Sequence, residues 1–552
     1  MVYHENLAYM SNLPVRSLGS VGIISDVNPY DLPSNAFSAG VNIRFENGSV
    51  TRAPIFRTVH TLAAPTNIIG HMFSIPDISG GPESVVLVES DFSSIVSLVG
   101  TTETDVTPAS TTTGSNTQPF TSCFLGNIAY LNRKDNVPYF KSLSTADFTA
   151  LTNWDSSWRC GVLRAYKDTL VAMDVTKGAN DYPSMVKWSD FTSYNAVPAS
   201  WDETSTTNNA GENILNEMVG PIVDGLALRD SFYIYGENEV WAMNFIGGTF
   251  VYDFRKRFSD RGILDTNCVV EVDGLHYVFD TDDIYVHDGA SPRSIIHGKD
   301  KDFVFSSIQK DYKHLCFVEF HKPLDEIHFN YVSDDRLVGF RGTTTGCNRA
   351  AVYNTKNGTW TFYDLPNVTA ATTAQVTTGQ TYEDMGTTLY SEFAGTYIGD
   401  EDGSETHLLY ISNIDTNVSL SSTRILGLDR ATGGRLSRPV EAEALKPALA
   451  ERIGIDMDES GSPLTSYKSL LGFYPQVGLD GEPETLSFQF GASDVTGLQP
   501  AWNTAQTFDP SAQNKLDVRV AGRYLAYRLL HEGISDFSFS GFDVRATRRG
   551  MR

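Results

Sequence analysis

Long apolar runs, cysteine pairs, positive charge and helical periodicity are all scarce in this 552-residue chain. No stretch approaches the ~18 consecutive apolar residues that a membrane-crossing helix needs, so no segment is expected to span a bilayer. The first residues, MVYHEN, lack the basic and apolar segments of a secretory signal, and no leader is expected. Five cysteines (Cys123, Cys160, Cys268, Cys316 and Cys347) make an odd, scattered set without a C-x-x-C pair. That excludes a disulfide framework and a thiolate zinc site, and it predicts buried thiols in a reducing cytoplasm. Lys and Arg number 42 against 67 Asp and Glu, a formal charge of −25. Such a chain is a poor clamp for nucleic acid, since it has few cations to neutralise phosphates. A conduit through which DNA must slide without sticking is a different case, because a negative or neutral wall repels the polymer.

What is abundant is β pattern. Hydrophobic residues at 41% and aromatics at 11% supply packed cores and exclude wholesale disorder. Short runs rich in Val, Ile, Tyr, Phe and Thr alternate with period two between Gly, Asn and Asp turns. Residues 440–455 are the one stretch that reads as a helix, and Pro447 interrupts it. A strand, a tight polar turn and a second strand recur, with turns near 126, 168, 230, 274 and 324, steps of 42, 62, 44 and 50. That spacing matches one four-stranded propeller blade per step, the longer step holding an insertion. Residues 351–363 form a further hairpin, in which Asn357-Gly358 supplies the positive φ a tight turn needs. Weaker candidates at 84–98 and 406–411 extend the series to six or seven blades.

The fold predicted is therefore all-β: a propeller of about six blades over 61–435, with N-terminal (1–60) and C-terminal (436–552) β units packing together as a platform. A pair of packed sheets is the structural alternative. Two Thr/Ser-rich stretches, 101–119 and 367–386, read as inserted loops.

The chemistry-bearing patterns are sparse. Phosphate-binding glycine loops, G-x-S-x-G and H-E-x-x-H are all missing. His276 and His287 lie near Asp280, Asp282, Asp283 and Asp288, but strand alternation favours structural histidines over metal ligands. The turn 456–461 (DMDESG) carries oxygens at calcium-loop positions 1, 3 and 5, yet its twelfth position is Tyr467 rather than Glu. Residues 400–403 (DEDG) read as a plain acidic turn. No catalytic residue, metal or cofactor is assigned, and no enzymatic activity is expected. The densest basic group is Arg523, Arg528, Arg545, Arg548, Arg549 and Arg552, taken as interface candidates facing carboxylates of another subunit or an adaptor.

Three blocks carry a resemblance. The first is 22–33 (GIISDVNPYDLP) with 40–54 (GVNIRFENGSVTRAP). The second is 182–190 (YPSMVKWSD), running through Pro198, Trp201, Val240-Trp241 and 262–264 (GIL) to 283–289 (DIYVHDG). The third is 520–529 (VAGRYLAYRL) with 540–544 (SGFDV) and the basic end RRGMR. In this order they resemble the tail nozzle (tail tubular, or tail hub) proteins of short-tailed bacteriophages, over residues 20–60, 180–365 and 470–552. The resemblance implies a structural virion protein of the tail, assembled in the host bacterial cytoplasm. It implies a homohexameric ring of propeller subunits below the portal and adaptor rings, carrying tail fibres or spikes. Viral DNA would pass through that ring without specific binding during ejection. Six copies at −25 each carry −150 formal charges, which favours solubility and a non-adhesive wall. Two other classes remain open: a propeller glycosidase or depolymerase acting on host polysaccharide through paired carboxylates, and a monomeric propeller that binds carbohydrate or protein.

Overall fold

A computed structural model describes residues 10–551 except 77–82, 110, 112, 143–144, 249, 343–344, 376–405, 416–421, 430–445, 458–465, 481–485 and 496–497. Antiparallel sheets dominate it, and the propeller expected from the hairpin spacing is present. Four-stranded blades occupy residues 69–105, 120–150, 158–214, 222–258 and 269–294. Blades 6 and 7 share one seven-stranded sheet because a single long strand, Trp360–Gln375, serves both. Up to Asp364 it pairs with Arg349–Tyr353 as the outer strand of blade 6. From Val368 it pairs with Thr406–Ser412 as the innermost strand of blade 7. Seven blades are thus present among the described residues, the upper end of the six or seven that the hairpins suggest.

Each turn singled out by spacing joins the innermost strand of a blade to its second strand. Positive φ values at Gly126, Asn127, Lys167, Arg229, Asp273, Gly274 and Asp325 suit tight hairpin turns of the handedness strands prefer. The second strands are buried almost throughout, as in Ile128–Arg133 and Thr169–Lys177, because both faces of a blade pack against neighbours. Separate apolar clusters fill the joints between blades, such as Tyr166, Met173, Trp188, Phe232 and Trp241 between blades 3 and 4. The ring closes through the chain's beginning: Ile55–Thr61 pairs with Arg424–Asp429 and completes blade 7.

A second body is built from both ends of the chain. One of its sheets joins Ile43–Glu46, Ser49–Arg52 and Met10–Arg16 to the C-terminal strands Asp536–Met551, Ser466–Asp480 and Leu516–Gly522. The other joins Ala39–Val41 to Ala448–Ile455, Tyr524–His531, Leu486–Ser493 and two short strands. Their inner faces meet around Phe473, whose ring lies 5.3 Å from Phe488 of the other sheet and 4.8 Å from Phe542. We refer to this body as the platform.

Three expectations are corrected here. The described part of 440–455 is not helical: Ala448–Ile455 is a strand between two others, where cross-strand burial of Leu449 and Ala450 overrides local helix preference. Within the stretch read as loop 101–119, Thr102–Asp105 is the outer strand of blade 1. Within 367–386, residues up to Gln375 form the innermost strand of blade 7, and 376–386 lie outside the described residues. Helix does occur at Lys301–Ser307, between blades 5 and 6. No helix among the described residues is long and apolar enough to cross a membrane.

Candidate functional site

The innermost strands of all seven blades converge on an axial cavity of about 360 Å³. A polar network crosses it. Arg164 of blade 3 donates from Nε and Nη2 to the two Asp224 oxygens of blade 4, at 2.9 and 2.8 Å. The same Nη2 reaches Asn267 Oδ1 of blade 5 at 2.8 Å, and Nη1 reaches the Ser122 carbonyl of blade 2. Asn267 Nδ2 donates at 2.9 Å to the Phe120 carbonyl on the far side of the ring. His71 of blade 1 contacts Ser122 Oγ at 3.0 Å, and burial together with Arg164 lowers its imidazole to about 3. The axis is therefore tied across by side chains at this level. Glu319 also lines the cavity, and burial pushes its carboxyl up to about 8.

His276 and His287 come together in blade 5, bridged by the Tyr235 hydroxyl at 2.7 Å from each. His276 Nε2 donates to the Ala227 carbonyl, leaving Nδ1 to accept from Tyr235. The Gly289 N–H donates to His287 Nδ1, so Nε2 donates to the Tyr235 oxygen. Every ring nitrogen is used, and burial lowers the two imidazoles to about 4 and about 3. These are neutral structural histidines, and the nearby acidic residues of 280–288 are not gathered onto them. Of the calcium-like turns, residues 458–461 and 400–403 lie outside the described residues.

The arginine group is divided by the platform sandwich. Leu525, Tyr527 and Leu529 point into its core, so Arg528 lies on the outer face of one sheet. There it donates to Gln489 Oε1 at 2.6 Å, sits over the Trp502 ring, and lies 3.8 Å from Glu451 Oε2. Phe542, Val544 and Ala546 point inward from the other sheet, so Arg545 is exposed on its opposite outer face. Arg523 lies in the bend just before the strand that holds Arg528, Tyr524–His531, and is half-buried. The backbones of Arg548 and Arg549 continue the strand of Arg545, and Arg552 lies outside the described residues. Arg528 and Arg545 thus lie on opposite faces of the sandwich.

Two features were missed from sequence. The first is an exposed apolar group on the turns of blades 3 and 4: Phe191, Tyr194, Phe245, Ile246 and Phe250, with Phe250 75% and Tyr194 71% exposed. The Phe191 and Phe245 rings lie 6.0 Å apart, so the two blades contribute to one surface. Its signal was the apolar content of two turns that polar residues would ordinarily fill. The second is a buried trio in blade 6, His321, Glu326 and His328, whose ligand atoms all lie within 4.8 Å of one another. The hairpin turn near 324 and the alternation of Glu326 with His328 were its signals.

Neither a protein-family model nor a curated protein matches the chain. Among solved structures, a chain of a mitotic checkpoint complex crystal structure is similar at 8% identity and a TM-score of 0.36. The match covers 67% of this chain and 92% of that one, and at that score it carries no argument.

Proposed function

We propose that this chain is a structural subunit of the tail nozzle of a short-tailed bacteriophage, acting as one member of a ring through which the genome leaves. The observation that carries the reading is the exposed apolar surface of Phe191, Tyr194, Phe245, Ile246 and Phe250 on an otherwise strongly acidic chain. Apolar side chains clustered on a rigid surface favour association with another protein surface. The Arg164–Asp224–Asn267 network supports a conduit built between subunits, because a single propeller's axis is tied across and its cavity has the volume of a small-molecule site. The sequence resemblance supplies the six-fold number, the adaptor-side partner and the virion location.

Sedimentation of the purified protein and negative-stain images of it, alone and with its neighbouring tail ring, test the reading. Rings of six are the expected result. A monomer under every condition, with a copy number per virion that is not a multiple of six, would overturn it. Turnover of a host polysaccharide, lost on substitution of one carboxylate, would favour the glycosidase reading instead.

A further inference from the structure

We infer that His321, Glu326 and His328 bind a first-row divalent transition metal, zinc being the ion that a His₂Glu donor set fits best. The hairpin register assembles the site. His321 stands directly opposite Glu326, and His328 follows Glu326 by two residues, so all three side chains share one face. All three residues are buried, with the His328 side chain fully enclosed and that of Glu326 3% exposed.

The imidazole of His328 gives the decisive geometry. Its Nδ1 is engaged by the Tyr410 hydroxyl at 2.9 Å. Its Nε2 has no hydrogen-bond partner and lies 3.7 Å from Glu326 Oε2. That separation is too long for a hydrogen bond, and a buried nitrogen left in this state calls for an occupant. Two ligands on one tetrahedral ion, each at about 2.0–2.1 Å, lie about 3.4 Å apart, close to the spacing observed. The outer contacts also suit a ligand set. Arg44 Nε holds Glu326 Oε1 at 2.6 Å, and the Tyr363 hydroxyl donates to Oε2 at 3.1 Å, which fixes the carboxylate. Tyr410 fixes the His328 ring in the same way. Arg44 disfavours a cation by its charge, but it sits on Oε1 and leaves the Oε2 side toward His328.

Because Arg44 belongs to the platform and the three ligands to blade 6, the ion would lock the joint between the two bodies. The test uses the full chain, stripped with chelator, dialysed into metal-free buffer and titrated with Zn²⁺ or Co²⁺ alone. One equivalent per chain, a tetrahedral Co²⁺ visible spectrum and a raised melting temperature are expected. His321→Gln and His328→Gln should each abolish the equivalent and the spectrum, and Tyr410→Phe should weaken binding about 10–100-fold. Should His328→Gln fail to fold, His321→Gln and the Co²⁺ spectrum still decide the matter. Absence of a retained equivalent in the wild type, or equal binding by wild type and His321→Gln, would overturn the inference.

Discussion

Arg44, in a platform strand, and Glu326, at the start of the second strand of blade 6, form an ion pair 2.6 Å long with 6% and 3% of their side chains exposed. It joins residues 282 positions apart. The Glu326 carboxyl is held down at about 2 even though burial alone would raise it, because the Arg44 guanidinium beside it favours its charged form. Beside it, Asn42 donates to Asp364 Oδ2 at 3.0 Å, and Asp364 in turn accepts from Arg349 at 2.8 Å. The platform is thus seated on blade 6 by buried charge.

Removing one partner should expose how much this joint matters. Arg44→Ala leaves a buried carboxylate unpaired, and a loss of about 3–5 kcal/mol is expected. Denaturant melts of wild type and variant measure it, and limited proteolysis should show earlier cleavage between platform and propeller. A loss below about 1 kcal/mol would mean that water reaches Glu326 in the folded state.

Acid should destabilise the propeller before most carboxylates titrate. His71, His276 and His287 are held near 3, 4 and 3, below their unfolded value of 6.5. The unfolded chain therefore binds more protons, and the stability these groups contribute is complete above pH 6.5 and lost as pH falls toward 3–4. Each costs about 1.4 kcal/mol per pH unit in that window. Urea melts between pH 7 and pH 4.5 should show the fall, and His71→Phe should make it shallower. Equal slopes for the two proteins would contradict the assignment.

The axial network invites a double-mutant cycle. Asp224 is fully enclosed, so Asp224→Leu strands the Arg164 guanidinium and should cost about 3–5 kcal/mol. Arg164→Leu strands Asp224 to a similar extent. The double variant should be milder than the sum of the two, because neither charge is then left alone. Additive losses would show that the two residues act independently.

Surface substitutions on blades 3 and 4 should separate association from folding. Tyr194→Ser, Ile246→Ser and Phe250→Ser alter exposed positions and should change stability by no more than about 0.5 kcal/mol each. Together they should shift sedimentation toward the monomer. Association of the wild type should strengthen with added salt, since like charges repel less once the screening length falls to about 8 Å and below. Unchanged assembly in the triple variant would place the contact elsewhere.

Alternation, turn residues and composition were enough to determine the all-β class, the propeller and the position of five blade turns, because a blade is a local object. Its strands follow one another, and tight turns demand particular residues. Composition likewise foretold free thiols, four of the five now buried. Whatever depends on non-local pairing was decided by the tertiary structure. The 406–411 candidate proves to be a strand of blade 7, but its partners were not legible, because the outer strand, Ile55–Thr61, comes from the other end of the chain and the inner strand is shared with blade 6. Ala448–Ile455 looks helical by itself and becomes a strand because Ala39–Val41 and Tyr524–His531 flank it. Arg528 and Arg545, on consecutive strands, end on opposite outer faces because the sandwich sends those strands to different sheets. His276 and His287 were read as structural histidines, as they prove to be, whereas His321 and His328 drew no notice, since proximity in sequence does not say which side chains share a face. Strand register does, and only pairing in three dimensions sets it.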